Sequence, residues 1–311
     1  MTLVTNNFDF TLPLIFSEIA LSLYPQLIKL VPASLDIQIA VRCISYSLLA
    51  IIGISIHGFT NKNKNILKNN SNSNSNSNSI SFYNTIIMGM VNLVHIISSY
   101  TSFKLLSSGV SYALFYTYPI FNLIGRSIFY NEKISLVNYI YIIIAIIGVY
   151  LIYYKGQPEY ETMQNDNMQN DNTKVNGFIA GMTSAITESL IYFMVKSNIP
   201  SISPFVQVIK TYLFGGILSI GYLIKNIKLI NLDINYWITL ILFNSIIGFL
   251  GYVLRFFTIP RLSTLKFNSI IFIGVIFSYI WGYIFSNEKI ENYNILGTLL
   301  ILGSIFKINI L

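Results

Sequence analysis

Two acids and two bases stand inside long apolar runs at matching positions: Glu18 with Arg42 early in the chain, Glu188 with Lys210 past its middle. The first pair is 24 residues apart (42 − 18) and the second 22 (210 − 188). An ionised side chain in hydrocarbon costs on the order of 3 kcal/mol or more, so each needs a partner or a task. Read as substrate chemistry, Arg42 and Lys210 attract an anionic group while the glutamates take protons or gate. Read as structure, each acid neutralises the base of its own half and holds two helices in register, because a removed partner leaves an uncompensated charge. Both hold if the pairs break during a transport movement.

Around these four stand weaker candidates. His95 titrates near neutrality and suits a proton shuttle, or else a hydrogen bond to a neighbour inside the bundle. Arg255, Arg261 and Lys266 fall close together and predict a cluster at one cavity mouth, for a phosphate or carboxylate or for lipid headgroups. Asn122 and Arg126 share a helical face with Ser111, and Lys29 shares one with Glu18 and Ser22. Tyr112, Tyr116 and Tyr118 can stack on a ring or pack as aromatics. Glu132 and Glu288 read as residues that pin turns. The single cysteine, Cys43, lies in an apolar run, and the histidines, His57 and His95, are far apart. With no nucleophile–base spacing, phosphate loop or metal-ligand spacing, the sequence predicts no enzyme, no cofactor and no metal.

The elements that must position these residues follow from composition. Hydrophobic residues make up 54% of the 311, charged residues 10%, and mean hydropathy is +0.62. A soluble domain carries about 25% charged residues, so this chain is read as an integral membrane protein. Its net charge of +7 is spread singly and forms no nucleic-acid-binding stripe. The first apolar stretch lacks a basic leader, which predicts no cleaved signal peptide. Apolar runs predict ten spans: 10–31, 37–56, 82–103, 110–130, 136–154, 177–195, 204–224, 236–257, 265–285 and 293–306. The Ser-Asn tract within loop 58–80 reads as a passive linker, as does the polar segment 156–176.

The run Phe129-Tyr130-Asn131-Glu132-Lys133-Ile134 returns as Phe285-Ser286-Asn287-Glu288-Lys289-Ile290, 156 residues later. Each copy lies between the last two spans of a set of five. The fold class is therefore all-α integral membrane, ten transmembrane helices in two five-helix repeats, 1–155 and 177–311. Five is odd, so the two repeats point in opposite directions, and inverted repeats place a substrate site near the bilayer midplane. The uncharged fifth and tenth helices are expected outside as support. Lysine and arginine are almost evenly divided between the two faces and give little guide to orientation.

The run Ser108-Gly109-Val110-Ser111-Tyr112-Ala113-Leu114-Phe115-Tyr116-Thr117-Tyr118-Pro119, with Gly125-Arg126 and Asn131-Glu132-Lys133 after it, resembles the drug/metabolite transporter superfamily, EamA-like branch. Glu132 with Gly148, and Glu288 with Gly297 and Gly303, match the same turn-then-helix pattern. Lys29 before Val31-Pro32, then Arg42, resembles the junction of the family's first two helices. Val275 stands where the second repeat would carry a proline, which predicts an unkinked ninth helix. The resemblance implies ten helices, cytoplasmic termini and a secondary carrier or exchanger, related to nucleotide-sugar and triose-phosphate carriers.

The expected function is secondary-active transport or exchange of a small polar metabolite. The excess of intramembrane bases tilts the reading toward an anion such as a nucleotide-sugar or phosphorylated compound. Export of amino acids or amines through Glu18 and Glu188 is the alternative, and a non-transporting scaffold or receptor the rival of another class. The expected partners are a small-molecule substrate, the lipid bilayer and a coupling proton or counter-substrate. A homodimer is compatible with this reading, and nucleic acid is not a partner.

Overall fold

The computed structural model describes residues 10–60, 75–130, 135–155, 167–196, 203–226 and 232–310, all helical apart from short connections. In chain order the helices are α1 (Thr11–Leu21), α2 (Tyr24–Leu30), α3 (Leu35–Thr60), α4 (Ser75–Leu105), α5 (Ser108–Phe115), α6 (Tyr118–Tyr130) and α7 (Leu136–Lys155). They continue as α8 (Asn167–Lys196), α9 (Pro204–Asn226), α10 (Ile234–Leu242), α11 (Phe249–Thr258), α12 (Thr264–Ile270), α13 (Phe272–Ser286) and α14 (Asn292–Ile310). Among the described residues eight helices are long and apolar enough to cross a membrane. Large apolar side chains such as Ile140, Ile143 and Ile146 stand exposed on the outside. Water does not tolerate such a belt and lipid does, so the chain is a multi-pass integral membrane protein.

Three helix pairs show how the halves are related. Gly53 of α3 lies against Phe205 of α9, and Ser47 lies against Gly216, so these helices run antiparallel. In α5 and α13, Gly109 meets Tyr279 and Tyr116 meets Gly274, again antiparallel. In α7 and α14, Gly148 faces Leu300 and Ile301 while Ile152 faces Gly297. Each pair joins an apolar run of one repeat to the corresponding run of the other, α5 with α6 corresponding to α12 with α13, and each pair is antiparallel. Two further contacts, α1 on α11 and α4 on α8, exchange under the same operation. That is the pairing of an inverted repeat.

At the α7–α14 crossing a Cβ added to Gly148 would sit 2.6 Å from the Gly297 carbonyl oxygen, and the converse distance is also 2.6 Å. Backbone touches backbone, as small residues permit between membrane helices. Gly148→Val is expected to push the two helices apart at a cost of about 1–3 kcal/mol. A lowered melting temperature in detergent checks it, with Gly303→Val as the control because that site is open.

Among the described residues four apolar runs are interrupted part-way. The first span breaks at Ser22–Leu23 before Pro25, and the fourth breaks at Tyr116–Thr117 before Pro119. The eighth contains a π-helical turn, Phe243–Gly248, between α10 and α11. The ninth breaks at Ile271, where the Gly274 N–H donates to the Ile271 carbonyl at 2.9 Å. The expectation of an unkinked ninth helix from Val275 is therefore corrected. No proline is needed, because Gly274 lets the chain turn against the Tyr116 hydroxyl and the Glu18 carboxylate, 2.9 and 3.2 Å from where a Cβ would be.

Candidate functional site

The interruptions surround a buried polar centre. Glu18 of α1 and Glu188 of α8 are both bonded to one guanidinium, that of Arg255 on α11. Arg255 Nη1 donates to Glu18 Oε1 at 2.9 Å, and Nη2 donates to Glu188 Oε1 at 2.6 Å. The Tyr116 hydroxyl donates to the other oxygen of Glu18, and Arg255 Nη2 also reaches the Tyr118 hydroxyl at 3.4 Å. All three charged side chains are buried. Each carboxylate thus has a charge-assisted bond, the condition under which a buried charge persists.

Beside this bridge lies His95 of α4. Its Nε2 is 3.6 Å from Glu188 Oε2, and its Nδ1 is 3.2 Å from the Ser184 carbonyl oxygen. Asn122 stands one bond further back, accepting from Ser189 Oγ at 2.7 Å, and so braces α8 next to Glu188.

Arg42 of α3 has a different environment. Its guanidinium carbon is 4.5 Å from the ring centre of Tyr24, 4.8 Å from Tyr252, 5.3 Å from Tyr100, 5.4 Å from Tyr46 and 5.7 Å from Tyr212. Nη2 donates to the Tyr212 hydroxyl at 2.8 Å. Among the described residues no carboxylate pairs with Arg42; five π faces hold the charge instead. The box is itself braced, with the Tyr24 and Tyr46 hydroxyls 2.5 Å apart and Tyr24 donating to Asn244 Oδ1 at 2.9 Å. Asn244 sits in the π turn, and Gly248 at the end of that turn leaves room for both hydroxyls.

Arg42 and Arg255 line one small cavity together with His95, Ser99, Tyr112 and Phe115. Its volume is about 20 Å³, room for a water molecule. The buried Nε atoms of both arginines lack a hydrogen-bond partner. Glu18 and Glu188 are not among the lining residues.

A second polar cluster sits toward the end of the bundle where α2 finishes and α5 begins. Asn287, in the left-handed conformation (φ 50°), turns the chain out of α13. Glu288 then reaches across the repeats: it pairs with Lys29 Nζ and accepts from the Ser108 N–H at 2.7 Å and Ser108 Oγ at 2.8 Å. Gln26 and Ser286 complete the cluster. The repeated Asn-Glu pair thereby gains a physical role in its second copy, as Asn makes the turn and Glu caps the first helical turn of α5. The first copy, 131–134, lies outside the described residues. Glu288→Gln removes the charge that holds Lys29 and caps α5. It is expected to cost roughly 2–3 kcal/mol, between an exposed and a fully buried pair. A melting curve checks this, and the double change Lys29→Met with Glu288→Gln should recover part of the loss.

The sequence matches the EamA-like transporter family over residues 12–154 and again over 175–310. The chain belongs to the EamA-like transporter family. No curated protein sequence matches this chain. A solved crystal structure superposes with a TM-score of 0.59 at 13% identity, over 97% of this chain and 96% of that one; at such low identity the likeness shows the fold alone.

Within this EamA-like transporter the candidate residues separate into three groups. Glu18, Arg42, His95, Tyr116, Glu188 and Arg255 converge on the centre. Lys29 is held by Glu288 in the other cluster. Lys210 and Lys266 join neither: Lys210 is half-buried without an ion pair among the described residues, and Lys266 is exposed. The side chain of Arg126 lies outside what is described.

Two expectations are corrected. Glu18 and Glu188 do not pair with Arg42 and Lys210, since Arg255 of the second repeat takes both. Nor does Arg255 share a cavity mouth with Arg261 and Lys266. It is buried between α1 and α8, whereas Arg261 turns back to the Phe257 carbonyl at 2.6 Å.

The spacing of the acids explains the first error. Glu188 is 170 residues after Glu18, and 170 after Arg42 is Tyr212, not Lys210. Two residues are about 200° on a helix, so Lys210 faces away while Tyr212 meets Arg42. The tyrosine box was missed altogether. The chain has 22 tyrosines, and their number hid the five that matter.

Proposed function

We propose that this chain is a secondary-active carrier of a small organic anion with a flat or aromatic body. The observation that carries the reading is that Arg42 and Arg255, two residues lining one cavity, each keep a buried Nε–H without a hydrogen-bond partner. Buried donors call for acceptors, and a carboxylate or phosphate supplies several. The walls of that cavity are aromatic, which suits a ring or another flat body. Both carboxylates of the centre are already engaged by Arg255, which weighs against capture of an amine.

The small cavity belongs to a closed arrangement, well short of the about 300–1,000 Å³ of an open ligand site. Substrate entry therefore parts the two repeats, 1–155 and 177–311, joined by 156–176. We take these as five spans each, ten in all, rocking to expose the centre to one face and then the other. We take both termini to lie on the cytoplasmic side.

Proteoliposomes containing the purified protein test the reading. Saturable uptake of labelled aryl phosphates or carboxylates is expected, with amines neither carried nor competing. Uptake of amines alone would move the assignment to an amine or amino-acid exporter. Absence of saturable flux for either class would leave a scaffold or receptor.

A further inference from the structure

We infer that His95 and Glu188 form the seat of a coupling proton, filled when an anion enters the cavity between Arg42 and Arg255. The inference rests on the anion reading above and adds the ion that drives it.

Geometry locates the proton. The Ser184 carbonyl can only accept, so His95 Nδ1, 3.2 Å away, carries the hydrogen. Thr187 Oγ1, 3.3 Å from Nδ1, is consistent, because its own hydrogen goes to the Thr183 or Ser184 carbonyl. Neutral His95 then turns the lone pair of Nε2 toward Glu188 Oε2 at 3.6 Å. Two acceptors thus face each other at 3.6 Å. A proton placed there converts the contact into a hydrogen bond, whichever atom holds it. Glu188 Oε1 stays on Arg255 throughout.

Charge supplies the coupling. The ionisable groups around the seat are Glu18 from α1, Tyr24 from α2, Arg42 from α3, Tyr112 from α5, Tyr116 and Tyr118 beside the α5–α6 break, and Tyr252 and Arg255 from α11. With the tyrosines and His95 neutral, two carboxylates balance two guanidiniums, so the empty centre is neutral. An anion entering it leaves a net negative charge in a poorly screened interior, and one proton at the seat restores neutrality. The same balance lets the empty carrier reorient, so anion movement accompanied by a proton is expected rather than obligatory exchange.

The test uses purified protein in weakly buffered detergent solution, with benzene-, toluene- and naphthalenesulfonate as probes. Sulfonates stay ionised, so any proton taken up belongs to the protein. A pH-indicating dye should record about one proton absorbed per bound anion, and affinity should fall about tenfold per pH unit above the seat's titration. Glu188→Gln leaves the empty centre with an excess positive charge, so it should bind the sulfonate without proton uptake and without that pH dependence. Sulfonate binding to the wild-type protein with no proton uptake at any pH from 5 to about 9 would overturn the coupling while leaving the anion reading intact. No binding of any of the three would overturn the anion reading and this inference with it. If Glu188→Gln does not fold, the wild-type proton count decides alone.

Discussion

Arg255→Met is expected to destabilise the protein by about 3–5 kcal/mol, the largest stability loss of any single change at the centre. Two buried carboxylates depend on that one guanidinium. Removing it leaves Glu18 with the Tyr116 hydroxyl and Glu188 with the imidazole edge of His95, neither of which carries a compensating charge. The protein should melt far earlier in detergent, or reach the membrane in reduced amount. The triple change Glu18→Gln, Glu188→Gln, Arg255→Met removes all three charges together and should recover much of the loss, because desolvation of the ions disappears with their attraction. A triple variant as unstable as Arg255→Met would mean that shape, not charge, explains the cost.

That the two acids matter was visible in the sequence, because charge inside an apolar run is conspicuous. Which base answers them was not. The first two helices of each repeat align at an offset of 170 residues, while the turn motifs align at 156, since the first repeat carries 14 more residues (170 − 156) between its second and third apolar runs. A matching acid–base spacing within each half thus suggested partners that the helical phase of Lys210 forbids. Arg255 was legible as an intramembrane arginine, yet its position three residues from the end of α11 suggested a mouth rather than a centre. The membrane class, the two repeats and the glycines at the α7–α14 crossing were legible, since hydropathy and repetition are local signals. The breaks of the first and ninth helices were not. They answer to what packs against them, Trp281 bonded to Ser22 in one case and Tyr116 with Glu18 against Gly274 in the other.

The two cavity arginines are equally buried and should respond to removal in opposite ways. Arg42→Met strands no carboxylate; it removes a cation from a box of rings that an apolar side chain also fills. The Tyr212 hydroxyl loses its charged neighbour, at a cost of about 1 kcal/mol, while the desolvation of the guanidinium is relieved. Stability should therefore stay within about 1 kcal/mol of the wild type or rise. Anion binding should fall by roughly 100-fold or more, as a buried charge-assisted contact is worth about 3 kcal/mol. Arg42→Lys keeps the charge but loses Nε and the flat face that stacks on Tyr24 and Tyr252, so partial recovery is expected, not wild-type affinity. Melting curves and sulfonate titrations on the same preparations separate the outcomes. A stable Arg42→Met that still binds sulfonate at wild-type affinity would remove Arg42 from the site. A collapsed one would make its tyrosine box a structural pillar, leaving Arg255 alone to meet the anion.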